Sequence, residues 1–208
     1  MKFENTKVYN IDGAVEAMRM PMMSHAKSDS YFLPDGSYHL GDADKKLAQN
    51  LIKGGAEHSK FLREIYIHTI ITCPQYFAAE LDTYKIGTVR NSSSLMHKGA
   101  SRDFTIDDFT FDGDISDLQP IINQINYYRQ KYIETKDYKY FRMMRQIIPM
   151  GYNYTFSFST DYTQLRNIWL QRVDNPHRLK EWTEDFSNWL KSLPYADELI
   201  FYKGETDE

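Results

Sequence analysis

The sequence predicts one α+β domain, and three observations carry that prediction. Its 208 residues (24.6 kDa) suit a single hydrophobic core. Apolar residues recur at helical spacing in several segments, whereas the runs 64–71 and 152–159 carry the β-branched and aromatic content of strands. With 41% hydrophobic and 26% charged residues and only 10 Gly and 7 Pro, the chain has the composition of a folded protein. No internal repeat is visible, so the expected domain is 1–208.

Residues 24–41 (SHAKSDSYFLPDGSYHLG) read as a loop, with Pro34-Asp35-Gly36 as a turn in which Pro sets φ and Gly permits a positive one. Asp42 is the candidate N-cap of a helix over 42–53, carried by Leu47, Leu51 and Ile52 and stopped by Gly54-Gly55. Beyond this loop and helix, residues 1–56 receive no assignment. Residues 64–71, with Ile65, Tyr66, Ile67, Thr69, Ile70 and Ile71, predict a strand, and Pro74 opens a short helix bearing Ala78, Ala79 and Leu81. The stretch 99–114 mixes acids with Phe and Gly and reads as a loop, an aromatic clamp or flap. Leu118, Ile121, Ile122, Ile125, Tyr128 and Tyr132 share one face of a helix over 116–135, with Pro120 in its first turn. A helix over 138–147 follows, then a strand over 152–159 and a helical period beginning at Leu165, Ile168 and Trp169. A last helix over 176–192 puts Leu179, Trp182, Phe186, Trp189 and Leu190 at core spacing.

The formal charge of -4 and the pI of about 5.9 give no net attraction to duplex nucleic acid. The first ten residues lack an apolar leader and nowhere do about 18 apolar residues run together, so neither secretion nor a membrane span is expected and the cytoplasm is the expected location. The single cysteine, Cys73, cannot form an internal disulfide, and the six histidines show no metal-ligand spacing, so no metal site is expected. Cys73, following an Ile-rich run, reads as an inert core thiol rather than a nucleophile. Asp107-Asp108 and Asp112 to Asp114 lack EF-hand spacing and read as a solvated acidic loop.

Four segments between about 57 and 193 resemble, in order, the flavin-dependent thymidylate synthase family. Glu57-His58 is similar to the family's Glu-His pair beside the flavin. Residues 80–93, Glu80-Leu81-Asp82-Thr83-Tyr84-Lys85 through Ser93, are similar in spacing to Gln-Leu-x-Arg-His-Arg followed by seven residues and a serine. Thr83 and Tyr84 replace the first Arg and the His, leaving Lys85 as the triplet's cation, while Asn91 replaces a Glu and Leu95 a basic residue, for which His97 and Lys98 stand nearby. Arg145-Gln146-Ile147-Ile148-Pro149 resembles Arg-x-x-Leu-Pro. Residues 159–172, followed by His177 and Glu181, resemble the segment that carries a flavin-contacting Asn, here Asn167, and a nucleotide-binding Arg, here Arg172; Asp161 and Thr163 depart from its Asn and Arg.

The resemblance implies a central mixed or antiparallel sheet with long helices packed on it, and a site shared between subunits of a homotetramer. It implies C5 one-carbon transfer to a pyrimidine deoxynucleotide, dUMP to dTMP or a related reaction, with FAD as cofactor and NADPH and a methylene-folate as co-substrates. Arg145 and Arg172 would clamp the 5′-phosphate, a task suited to a guanidinium's paired donors. Ser93, the candidate catalytic residue, would sit near the base and Glu80 beside the nucleotide, and His58, Lys85 and Asn167 would hold the flavin. Glu80 in place of an amide favours a cytosine-like amino group over a uracil carbonyl, because a carboxylate only accepts. The alternative is a nucleotide-binding module of the same fold that has lost flavin chemistry; an unrelated interaction protein is the third reading.

Overall fold

Two strands rich in Ile and Phe form the middle of the sheet, because each must bury one face. The computed structural model describes residues 1–95, 99–174 and 178–204, so His97, Lys98 and His177 lie outside the described residues. The strands are β1 (Lys2–Tyr9), β2 (Tyr31–Phe32), β3 (Tyr38–His39), β4 (Tyr66–Pro74), β5 (Val89–Ser92) and β6 (Asn153–Asp161), and the main sheet has the order β1-β4-β6-β5. Along β4 the side chains of Ile67, Thr69, Ile71 and Cys73 are buried, and along β6 those of Phe156, Phe158 and Thr160, the period of two that a strand imposes. Thr72 bonds Thr155 and His68 bonds Ser159, so residue numbers fall on one strand as they rise on the other and the pair is antiparallel.

The helices are α1 (Ile11–Arg19), α2 (Asp42–Lys53), α3 (Gln75–Leu81), α4 (Ile115–Thr135), α5 (Tyr138–Gln146), α6 (Tyr162–Ile168), α7 (Ser187–Lys191) and α8 (Ala196–Leu199). Two π-helical segments, Trp169–Val173 and Glu181–Phe186, interrupt the C-terminal part. No helix among the described residues is long and apolar enough to cross a membrane.

The chain divides into two compact units, the boundary falling within β4 and β6. Residues 1–2, 70–83 and 90–157 make up the first. Its core packs Leu118, Ile122 and Ile125 of α4 against Phe141 and Met144 of α5, together with Phe104 and Phe109. The stretch 99–114 is therefore not a flap: Phe104 and Phe109 are buried and Asn126 holds the Phe104 backbone at both N–H and C=O. Residues 3–69, 84–89 and 158–208 make up the second unit. There Phe3 stacks on Trp189, and Trp182, Phe186, Trp189 and Leu190 are buried at the spacing the sequence predicts.

Several boundaries differ from expectation. Asp42 is not the cap of α2: Gly41 occupies that position, and the Asp29 carboxylate accepts the N–H groups of Ala43 (2.8 Å) and Asp44 (3.1 Å) from across the loop. A Cβ at residue 41 would lie 2.2 Å from that carboxylate, so only glycine allows the approach. The loop 24–41 folds into the β2–β3 hairpin about the expected turn, with Gly36 at φ 83° and Ser37 bonded to Asp35.

Candidate functional site

The first unit contains a cavity of about 530 Å³, within the roughly 300–1,000 Å³ of small-molecule sites. One wall is α3. Gln75, Ala79 and Asp82 face the cavity at i, i+4 and i+7, a single helical stripe. The first N–H groups of α3 are already taken, Gln75 donating to the Tyr152 carbonyl (3.0 Å) and Tyr76 to that of Met150 (3.1 Å), so this helix end offers no anion site. Residues 92–95 form the second wall as the chain leaves β5, with the Ser93 N–H donating to the Thr155 carbonyl (2.8 Å). Arg145, in the last turn of α5 where a cation complements the helix dipole, and Tyr154 on β6 complete it.

Ser93 and Arg145, two residues singled out by resemblance from stretches some fifty positions apart, therefore line one cavity. Glu80 is half-buried on α3, one residue and about 100° round the helix from Ala79. Gln75, Asp82 and Tyr154 were not expected here. The signal for Gln75 and Asp82 was present as polar residues alternating with the buried Phe77, Ala78 and Leu81 of a short helix. Arg90 pairs with Asp82 (Nη1–Oδ1 2.7 Å) and lies over the rings of Phe156 and Tyr154 at 4.6 and 5.6 Å. Burial raises the Tyr154 hydroxyl above its ordinary pKa of 10, with Arg90 opposing in part, so at neutral pH it is a protonated donor.

The remaining candidates belong to the second unit. Tyr84 is buried, its ring edge-on to Trp182. The Arg172 Nε donates to the Tyr84 hydroxyl (2.8 Å), which in turn donates to Gln171 (3.2 Å), and the Arg172 guanidinium lies over both the Tyr84 and Trp182 rings. Arg172 and the buried Glu181 each sit on a π-helical segment, a distortion found often at functional sites. Thr83 spends its hydroxyl on the Glu80 carbonyl (2.7 Å). Lys85, His58 and Asn167 are exposed, Lys85 and His58 in turns and Asn167 on α6 with its amide 3.5 Å from Gln164. Among the described residues no three His, Cys, Asp or Glu side chains converge on a metal position, and Cys73 is buried.

Gly87 closes the turn after this triplet at φ 67°, and a Cβ there would lie 2.6 Å from the Asp161 carboxylate that caps α6. Gly87→Ala is expected to cost about 1–2 kcal/mol from the left-handed backbone alone, read as a lowered urea midpoint.

No protein-family model and no curated relative matches the sequence. Solved structures do. The chain is similar to flavin-dependent thymidylate synthase ThyX from Helicobacter pylori complexed with FAD and dUMP, at TM-score 0.73 and 18% identity over 96% of this chain and 98% of that one. It is also similar to the UMP/dUMP methylase PolB from Streptomyces cacaoi bound with 5-Br dUMP, at TM-score 0.63 and 13% identity over 100% and 97%. The chain has the flavin-dependent thymidylate synthase fold. In this version of the ThyX fold, the triplet Thr83-Tyr84-Lys85 fits a flavin only in part: Thr83 closes a helix end, Tyr84 is a core residue, and Lys85 alone presents a charge to solvent.

Proposed function

We propose that this protein is an enzyme that binds a pyrimidine deoxynucleotide monophosphate in the cavity of the first unit and transfers a one-carbon unit to C5 of its base, with FAD as redox partner. The observation that carries the proposal is the convergence of Ser93 and Arg145 on one cavity in a chain of this fold. Arg145 supplies the cation for the phosphate, the serines of 92–94 supply neutral donors, and Tyr154 supplies a protonated hydroxyl. In this reading Arg172 is a second nucleotide ligand, oriented by Tyr84, and His58, Lys85 and Asn167 hold the flavin, which when bound accepts and donates electrons. NADPH as reductant, a methylene-folate as donor, a homotetramer and a cytoplasmic location belong to the same reading.

A second reading, a nucleotide-binding module without flavin chemistry, is favoured by one observation: the position of the motif's histidine is filled by buried Tyr84. Flavin fluorescence separates the two. For the enzyme, titrating the protein into FAD changes the flavin emission in a saturable way, and dUMP or dCMP shifts it again. Nucleotide binding measured by calorimetry with no flavin response at any protein concentration supports the module.

A further inference from the structure

The cavity is lopsided in its hydrogen-bonding chemistry. Arg145 and the hydroxyls of residues 92–94 can donate and the Gln75 amide both donates and accepts, whereas the α3 wall ends in Asp82, a carboxylate that only accepts. Asp82 is the C-cap of α3, where the helix carbonyls already gather negative charge, so an acid stands there against the helix dipole. Arg90 offsets this conflict. Its side chain is 21% exposed, its guanidinium lies over the rings of Phe156 and Tyr154, and Nη1 comes within 2.7 Å of Asp82 Oδ1. The stacked guanidinium thus keeps a cation beside the carboxylate. Asp82 itself remains 47% exposed on the cavity wall, whereas Glu80 lies off the lining stripe.

Resting on the nucleotide reading above, we infer that Asp82 is a specificity-determining residue that selects a cytosine over a uracil nucleotide by accepting a hydrogen bond from the exocyclic amino group. At position 4 uracil presents a carbonyl oxygen, and a carboxylate opposite it sets lone pair against lone pair. Cytosine presents an amino group there, the partner that Asp and Glu accept from in base recognition. The substrate class is then a deoxycytidine monophosphate carrying hydrogen at C5. The structure moves the discriminating carboxylate from Glu80, where the sequence places it, to Asp82 on the stripe that faces the cavity.

The test is calorimetric titration of the full-length protein with dCMP and with dUMP, for wild type, Asp82→Asn and Glu80→Gln. Wild type is expected to bind dCMP about tenfold more tightly than dUMP, the scale of one charge-assisted hydrogen bond gained in place of a repulsion. Asp82→Asn, whose amide can turn an N–H toward O4, is expected to bring the two affinities within about twofold by weakening dCMP and strengthening dUMP. Wild-type preference for dUMP overturns the inference without any variant. So does an unchanged ratio in Asp82→Asn, or a shift seen in Glu80→Gln and not in Asp82→Asn. Binding of neither nucleotide by wild type overturns the nucleotide reading and this inference with it, an outcome distinct from binding of both at an unaltered ratio.

Discussion

Asp44→Ala is expected to lower the stability of the protein by about 3–5 kcal/mol, the cost of leaving a buried charge without its partner. Asp44 is fully buried and Arg19, whose Nε donates to it, is only 5% exposed. The second carboxylate oxygen accepts the hydroxyls of Ser28 and Ser30, both at 2.6 Å, and the Ser30 N–H at 3.2 Å. One side chain thus ties α1, α2 and the loop 24–41 together. Alanine strands the Arg19 guanidinium in the interior and frees the loop's anchor. The expected urea midpoint is well below wild type, and Asp44→Asn falls between, because the amide keeps the shape and some of the hydrogen bonds. The double variant Arg19→Met/Asp44→Leu is expected to be milder than Asp44→Ala, since it removes both charges. Equal losses in the single and double variants would show that packing, not charge, dominates here.

The same carboxylate makes a prediction for acid. Burial alone would raise its pKa, but the Ser28 and Ser30 hydroxyls and Arg19 outweigh that and hold it below its ordinary value of 3.8. A depressed folded-state pKa means the unfolded chain binds the proton more readily. The stability Asp44 confers is therefore complete above pH 3.8 and is lost as pH falls through the lower folded value. Acid unfolding followed by circular dichroism is expected to show a shallower decline below pH 3.8 in Asp44→Asn than in wild type.

The fold was legible where local pattern and tertiary role agree. α2 and α4 have amphipathic stripes and clear ends, and β4 and β6 carry enough β-branched and aromatic residues to declare themselves. β1 was not, and its residues explain why. Phe3 and Val8 are its half-buried positions, an odd five residues apart, and between them Asn5 takes φ 54°. A left-handed residue inside a strand switches which side chains face inward, so the period of two is broken in the sequence although the strand continues. β5, Val-Arg-Asn-Ser, is short, polar and at the sheet edge, where charged and polar residues discourage further pairing and erase the hydrophobic signal. For the site, spacing alone did not associate Ser93 with Arg145; resemblance did. Tyr84 was recognisable as a departure from the motif, but its burial against Trp182 and its bond to Arg172 depend on residues roughly ninety to a hundred positions away.

Arg145→Ala is expected to weaken binding of a pyrimidine nucleotide monophosphate about 100-fold, because a guanidinium can give a phosphate two charge-assisted hydrogen bonds and each tenfold in affinity is about 1.4 kcal/mol. The residue lies in the last turn of α5 and lines a cavity whose other side-chain donors are neutral, the Gln75 amide and the serine and tyrosine hydroxyls. Arg90, in the same unit, already pairs with Asp82 and cannot serve a phosphate without releasing it. Leu95, standing where the resemblance has a basic residue, removes a further charge and raises the share that Arg145 must carry. Arg145→Lys keeps the charge but not the fork, and is expected to recover about a tenth of wild-type affinity. The decisive control is the nucleoside. Deoxycytidine or deoxyuridine has no phosphate, so its weaker binding should be nearly unaffected by either substitution. Raising the ionic strength should likewise narrow the gap between wild type and Arg145→Ala for the nucleotide and leave the nucleoside unchanged. A variant that loses nucleoside and nucleotide to the same extent would move Arg145 from the phosphate to the base, and the serine-lined wall would then be the place to look for the phosphate.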